Sequence, residues 1–345
     1  MGITLKALAE RIGAELHGGV PDTEIFSVAA LQKAGPGQLS FLANKGYRRF
    51  LADTRAAAVI LAPEYAQECP VAALLSANPY ASYARAASLI APRPPARAGI
   101  HPSAVLEKDC SVHESAWVGP HCIIEAGVVV GAGVQLQGGC FLGAGSSIGA
   151  HSCLAANVVI CHGVTIGQRV NIAPGAVIGS DGFGLASEDG RWLNVPQLGS
   201  VRIGDDAEIG ANTTIDRGAL EDTVLEEGVR LDNQIQVAHN VFIGAHTAIA
   251  GCVGISGSAR IGRHCMIGGG AGIVGHLEIA DHVIITGMTM VTKSITRPGV
   301  YSSGVPAQDN DSWNRNYARF RQLDRMARRL HAIERRLGSG KETEE

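Results

Sequence analysis

The sequence predicts a mainly β protein, a solenoid of short strands wound about one axis, with a small α/β domain before it and a helical segment after it. Three observations carry this. From Ile100 to Ile178 every sixth residue is aliphatic: Ile100, Leu106, Val112, Val118, Ile124, Val130, Leu136, Leu142, Ile148, Leu154, Ile160, Ile166, Ile172 and Ile178. The count resumes at Ile203, Ile209 and Ile215, slips by four residues, and runs from Leu225 to Val291. Four places after the aliphatic residue comes a small one, as at Ala104, Cys110, Ala116, Cys122, Val128, Val134, Cys140 and Ser146. Finally, the chain holds 44 Gly and 46% apolar residues but only 5% aromatics, the composition of a thin core filled by Ile and Val.

Helices repeat every 3.6 residues and strands every two, so a period of six means a short strand plus a turn. Stacking such units buries a continuous one-dimensional core. One large and one small residue point inward on each side. Three sides close a triangular coil of 18 residues, with Gly, Asn or His at corners that need positive φ. About ten coils follow from the hexad count, their strands paired along the axis at roughly 4.8 Å.

The elements follow in order. Residues 1–98 lack the repeat and mix an amphipathic helix (Leu5, Leu8, Ala9, Ile12) with short apolar strands such as Ala57 to Leu61. They end in the Pro-rich linker Ala91-Pro92-Arg93-Pro94-Pro95, a domain boundary. Residues 99–297 form the solenoid. It is interrupted at 180–202 by an insertion carrying Gly182, Phe183, Gly184 and Trp192, and an insertion on a solenoid marks a binding face. In 298–345 the pattern turns helical. Leu323, Met326, Leu330, Ile333 and Leu337 step by three and four, the seam of a short coiled coil. A three-sided prism and a terminal seam both suggest a homotrimer.

Composition excludes several classes. A net charge of −3 gives no global electrostatic case for nucleic acid. No apolar stretch is long enough to span a membrane, and Lys6, Glu10 and Arg11 interrupt the only N-terminal signal candidate, so a cytoplasmic protein is expected. The eight Cys include no CxxC pair, and Cys110, Cys122, Cys140 and Cys265 fall in the small inward slot, as reduced thiols used as small hydrophobes. Positive charge concentrates in the terminal helix, where Arg315, Arg319, Arg321, Arg325, Arg328, Arg329, Arg335 and Arg336 face only Asp311, Asp324 and Glu334. An acidic partner and a solvated outer face both account for it.

The coil length also predicts which residues share a corner. Steps of 18 from His239 reach Gly257, Gly275 and Lys293, with His276 beside that ladder. A His with a Gly one coil above offers acyl transfer a general base and an unhindered N–H for a developing oxyanion, and Lys293 could meet a phosphate of the donor. Corner positions also favour His and Gly for conformational reasons, and spacing alone leaves that open. His246, His264 and His282 form a second ladder. Three residues stacked one per coil span about 10 Å, too far to converge on one zinc, so no metal is expected.

The repeat itself resembles that of the hexapeptide acyltransferases, which implies a left-handed parallel β-helix; the left hand comes from the resemblance. The runs Asn194-Val195-Pro196-Gln197-Leu198-Gly199, Ile203 to Ala219 and Leu231 to Val241, with Asp181-Gly182-Phe183-Gly184 in the insertion, resemble the UDP-3-O-(3-hydroxyacyl)glucosamine N-acyltransferase family of lipid A biosynthesis. The resemblance extends over essentially the whole chain. It implies transfer of a 3-hydroxyacyl group from acyl carrier protein, whose 4'-phosphopantetheine carries the thioester, to the 2-amino group of a UDP-sugar, with no cofactor of the enzyme's own. His239 is then the general base, Gly257 the oxyanion donor and His276 a second active-site residue. Asp232 is a candidate to orient His239, while Asn233, Gln236 and Asn240 fall to substrate binding. Gly275, Met290 and Lys293 are assigned to the acyl and pantetheine arm, with Met290 the end-stop for the acyl chain or plain filler. In Leu39 to Tyr47 the resemblance gives Phe41, Asn44 and Tyr47 to the uridine, where without it they read as packing and a turn. It also favours Arg315 and Arg319 as docking points for the acidic carrier protein. The rival readings are the related O-acyltransferase of UDP-N-acetylglucosamine, a metal-dependent hydratase and a non-catalytic scaffold.

Overall fold

The computed structural model describes residues 2–92 and 96–338. Linker residues Arg93, Pro94 and Pro95, and 339–345 of the terminal segment, lie outside the described residues. The chain divides into two compact units, Met1–Pro95 and Ala96–Glu345.

In the first unit a five-stranded sheet runs in the order Glu15–His17, Ala72–Leu75, Ala58–Leu61, Gln38–Phe41, Ser27–Val28. Only the first pair is antiparallel. Its central strands are apolar on both faces because both are covered. Leu39, Ala58, Ile60 and Leu74 pack with helix α1 (Leu5–Ile12) and helix α2 (Pro79–Ile90). Val59, Leu61 and Ala73 pack with Leu51 and Tyr65 on the other side. The expected stripe Leu5, Leu8, Ala9, Ile12 is the buried face of α1, which Thr4 caps and Gly13 ends in the left-handed region.

In the second unit the three faces of a parallel β-helix hold nine, eleven and ten strands among the described residues. Each strand pairs with the one a coil later, as Val112↔Val130, Ile148↔Ile166 and Val237↔Ile255. The core is the set of hexad aliphatics and small residues named from the pattern, from Ala116 to Ile295. Some hydroxyls in the small slot bond a neighbouring coil, as Ser152 Oγ donates to Gly167 O at 2.9 Å and Thr247 Oγ1 to Gly262 O at 2.8 Å, while the buried Ser146 Oγ has no partner among the described residues. The third residue after the aliphatic turns the corner with φ near +60°, and Asn157, Asn240, His246, His264, His276 and His282 all stand there.

The interruptions are local. Ile166 pairs with Ile203 and Ile178 with Ile215, so the insertion leaves and re-enters one coil without disturbing the stack. Its tip is an antiparallel hairpin, Leu185–Glu188 against Arg191–Asn194. At its far end the solenoid runs past the expected boundary at 297, because Gly299–Tyr301 pairs with Val283–Ile285. Helix α3 (Asn310–Phe320) and helix α4 (Leu323–Gly338) follow. The seam residues Leu323, Met326, Leu330, Ile333 and Leu337 are each at least 51% exposed in the single chain. No described helix is long and apolar enough to cross a membrane.

Because each coil touches only its neighbours, a core deletion acts where it is made. Ile160 is fully buried between Leu142 and Ile178. Ile160→Ala should cost about 2–5 kcal/mol, read as a lower urea midpoint; an unchanged midpoint would contradict this packing.

Candidate active site

The register places His239, Gly257, Gly275 and Lys293 on one ladder, two positions after the paired Val237, Ile255, Ile273 and Val291. Beneath His239 the same ladder continues with Arg217, two positions after Ile215. These residues precede the corner, and neither His239 nor Gly257 has positive φ. Backbone need therefore explains His246, His264, His276 and His282 but not His239. Nor does it explain Gly257, where space does: a Cβ would lie 2.6 Å from His239 Nε2.

The orientation of His239 is fixed through its neighbour. Asn240 Oδ1 accepts from Ala219 N at 3.0 Å and its Nδ2 donates to Glu221 O at 2.8 Å. With the amide clamped that way, its oxygen can only accept from His239 Nδ1, 3.0 Å away. Nδ1 then carries the hydrogen, and Nε2 keeps its lone pair beside Gly257. Ala219 and Glu221 belong to the four-residue slip in the hexad count, so that irregularity builds the clamp.

His239 opens into a cleft of about 480 Å³, also lined by Phe183, Asp216, Gln236, Gly257 and Met290. Gly254 and Gly272 lie on the strand face between Gln236 and Met290. A Cβ at Gly254 would meet open space and one at Gly272 the Met290 sulfur at 3.0 Å, so a bare groove leads from His239 towards Met290. Gly182 packs against His239, where a Cβ would stand 2.8 Å from His239 Cβ.

Sequence reasoning passed over two residues. Asp216 lines the cleft with its carboxylate held by Ser180 Oγ at 3.0 Å and Gln236 Nε2 at 2.8 Å. Burial pushes this carboxyl above its ordinary value, against those two hydrogen bonds and the nearby His239, which pull it down. Gln236 in turn accepts from Thr214 Oγ1. Arg217 is 3% exposed; it donates to Gly179 O and His162 O and pairs with Asp181 at 3.8 Å, pinning the root of the insertion. Both lie in the run Ile203 to Ala219 that carries the resemblance, but the hexad count gave neither a role.

One expectation is corrected, the orienting role of Asp232. Asp232 does not orient His239: it sits one corner earlier, after Leu231, where its carboxylate accepts from Gly251 N at 2.9 Å. Asn233 shares that corner and accepts from Ala211 N at 2.7 Å. Both brace coils outside the cleft, and Asn240 serves His239 and the backbone. His276 and Lys293 are exposed beside the cleft, with His276 N donating to Gly257 O at 3.1 Å. The rings of His246, His264 and His282 stack at 5.2 and 5.0 Å. In the N-terminal unit Phe41 stacks on Tyr83 at 3.9 Å, Tyr47 is 51% exposed, and Asn44 Oδ1 accepts from Gly46 N at 2.8 Å. Arg315 and Arg319 lie exposed on α3.

The chain is similar to known proteins over nearly its whole length. Residues 22–89 match the family model described as UDP-3-O-(3-hydroxymyristoyl) glucosamine N-acyltransferase, and residues 145–180 match the bacterial transferase hexapeptide repeat. The UDP-3-O-acylglucosamine N-acyltransferase of Pseudomonas fluorescens SBW25 is 56% identical over 97% of this chain and 95% of its own length. That of Pseudomonas aeruginosa UCBPP-PA14 is 56% identical over 98% and 96%. Among solved structures, the Arabidopsis UDP-N-acetylglucosamine acyltransferase superposes with a TM-score of 0.54 at 20% identity, over 63% of this chain and 76% of that one, a likeness of fold alone.

Gly257→Ala tests the ladder. The added methyl must push the imidazole aside, so turnover should fall about 10²-fold with the melting temperature nearly unchanged. Full activity would mean that His239 does not work from this position.

Proposed function

The chain belongs to the UDP-3-O-acylglucosamine N-acyltransferase family, and from that premise we propose how its residues carry out the transfer. The observation that carries the proposal is the imidazole of His239, with Nδ1 anchored to Asn240 and Nε2 free at Gly257 in an open cleft. The donor is a 3-hydroxyacyl thioester on the phosphopantetheine of acyl carrier protein. The acceptor's neutral 2-amino nitrogen attacks the thioester carbon and gives a proton to Nε2 as the C–N bond forms. The Gly257 N–H stabilises the oxyanion; it has no hydrogen-bond partner among the described residues. When the C–S bond breaks, the imidazolium returns the proton to the departing thiolate. Base and oxyanion donor both come from the chain, so the reaction needs no metal. The groove over Gly254 and Gly272 takes the acyl chain and Met290 ends it.

The acceptor's uridine is recognised in the N-terminal unit by the exposed ring of Tyr47, by Phe41 and by Asn44. The enzyme works in the cytoplasm as a homotrimer, its subunits joined partly through the exposed seam of α4. The exposed Arg315 and Arg319 of α3 receive the acidic carrier protein, and His276 and Lys293 flank the arriving phosphopantetheine.

His239→Ala should lower turnover by roughly 10²–10⁴ while the protein stays folded; wild-type rates in that variant would sink the assignment. Replacing Tyr47 by Ala should raise KM for the UDP-sugar far more than for the acyl donor, and equal effects would point away from a uridine contact. Reversing charge at Arg315 and Arg319 should weaken carrier-protein binding and flatten its salt dependence, since exposed charges are screened over about 10 Å at 0.1 M. Unchanged affinity across a salt series would leave α3 without a docking role.

A further inference from the structure

The cleft holds a charged hydrogen-bond acceptor besides the one that base catalysis needs. Besides His239 Nε2 there is the carboxylate of Asp216, which register sets directly beneath Ala238, one residue from His239. The carboxylate is held by neutral donors from two directions, Ser180 Oγ and Gln236 Nε2, and a carboxylate offers about four lone-pair sites. Two remain for a ligand. A cation partner would have quenched this charge, yet the neighbouring Arg217 is turned to Gly179 O, His162 O and Asp181.

Nucleophiles differ in how many acceptors they can satisfy. A neutral amine carries two N–H bonds and one lone pair. With one N–H on His239 Nε2 and the other on a carboxylate, its lone pair is left to point at the thioester carbon. A hydroxyl has a single hydrogen; once that is given to His239, a carboxylate meets oxygen lone pairs and repels them. Resting on the N-acyl transfer proposed above, we infer that Asp216 is the specificity-determining residue that selects an amine over a hydroxyl acceptor, by accepting the second N–H of the nucleophile. The charge keeps the site acceptor-only, and Ser180 and Gln236 aim it. Binding energy is thus tied to the nucleophile the reaction uses.

The test compares UDP-3-O-acylglucosamine with its analogue bearing a hydroxyl in place of the 2-amino group, using acyl carrier protein thioester as donor. Asp216→Asn keeps the volume but cannot accept from both Ser180 and Gln236. It should lower kcat/KM for the amine by roughly 10- to 10²-fold, the size of a lost hydrogen bond to a charged group, and leave KM for the acyl donor unchanged. Turnover of the hydroxyl analogue should hold or rise, so that amine-over-hydroxyl discrimination drops. Ser180→Ala, which retains the charge, should shift discrimination the same way by less. Calorimetric titration of both sugars into wild type and Asp216→Asn gives the same comparison without turnover, and the variant should lose its preference for the amine. Amine and hydroxyl rates falling together in both variants would make Asp216 merely structural and overturn the inference. Absence of amine acylation by the wild-type enzyme would instead remove the functional reading beneath it.

Discussion

Every contact in the catalytic unit depends on one constraint, that each strand pairs with the strand exactly one coil away. Parallel pairing at about 4.8 Å makes a residue's vertical neighbours a matter of arithmetic, and a one-residue slip would send each inward side chain outward. The unbroken run of pairs from Val105 to Val291 on the cleft face holds His239 against Gly257 to within a side chain's width. No loop does so. A side chain placed by register sits on a rigid element and needs little ordering when a ligand arrives.

The two places where the chain leaves this register are the two that make the site chemical. Gly179, at φ +90°, bulges a strand whose Ser180 still pairs with Asp216, and the insertion beyond it brings Gly182 and Phe183 over His239. The four-residue slip supplies the Ala219 N–H and Glu221 carbonyl that clamp Asn240. Arg217 joins the two, its backbone N–H donating to Ser180 O at 2.8 Å and its side chain to Gly179 O at 2.9 Å. The regular coils supply position and the irregular ones supply orientation.

The fold was legible because a period of six has one physical meaning and the core is made of the residues that carry it. The ladder from His239 to Lys293 was legible for the same reason. Asp216, Arg217 and the clamp on Asn240 were not, because they act where the count is interrupted and the arithmetic stops. Asp232 misled for a complementary reason: acids one place after the aliphatic are common here, and Glu107, Glu125, Glu226 and Asp232 all accept from a backbone N–H of an adjacent coil. The position selects an acceptor for the backbone, so a carboxylate near a His in sequence says little about catalysis. Phe41 and Asn44 were ambiguous in sequence and have packing and capping contacts in the fold, and both can still present an edge to a ligand.

Backbone conformation accounts for the corner histidines and leaves His239 unaccounted for. Asn, Asp and His tolerate the left-handed region better than other residues with a Cβ, and six corner histidines, from His121 to His282, occupy it. Their identity is explained before any reaction is considered, and this holds for the ladder of His246, His264 and His282. His239 stands one residue before such a corner and gains nothing conformational from being His. Its Asn240 takes the strained position instead, at φ +60°, and uses the side chain that suits it there to hold the imidazole. The corner requirement is thus met by the residue that orients the imidazole, which leaves position 239 free of any conformational demand.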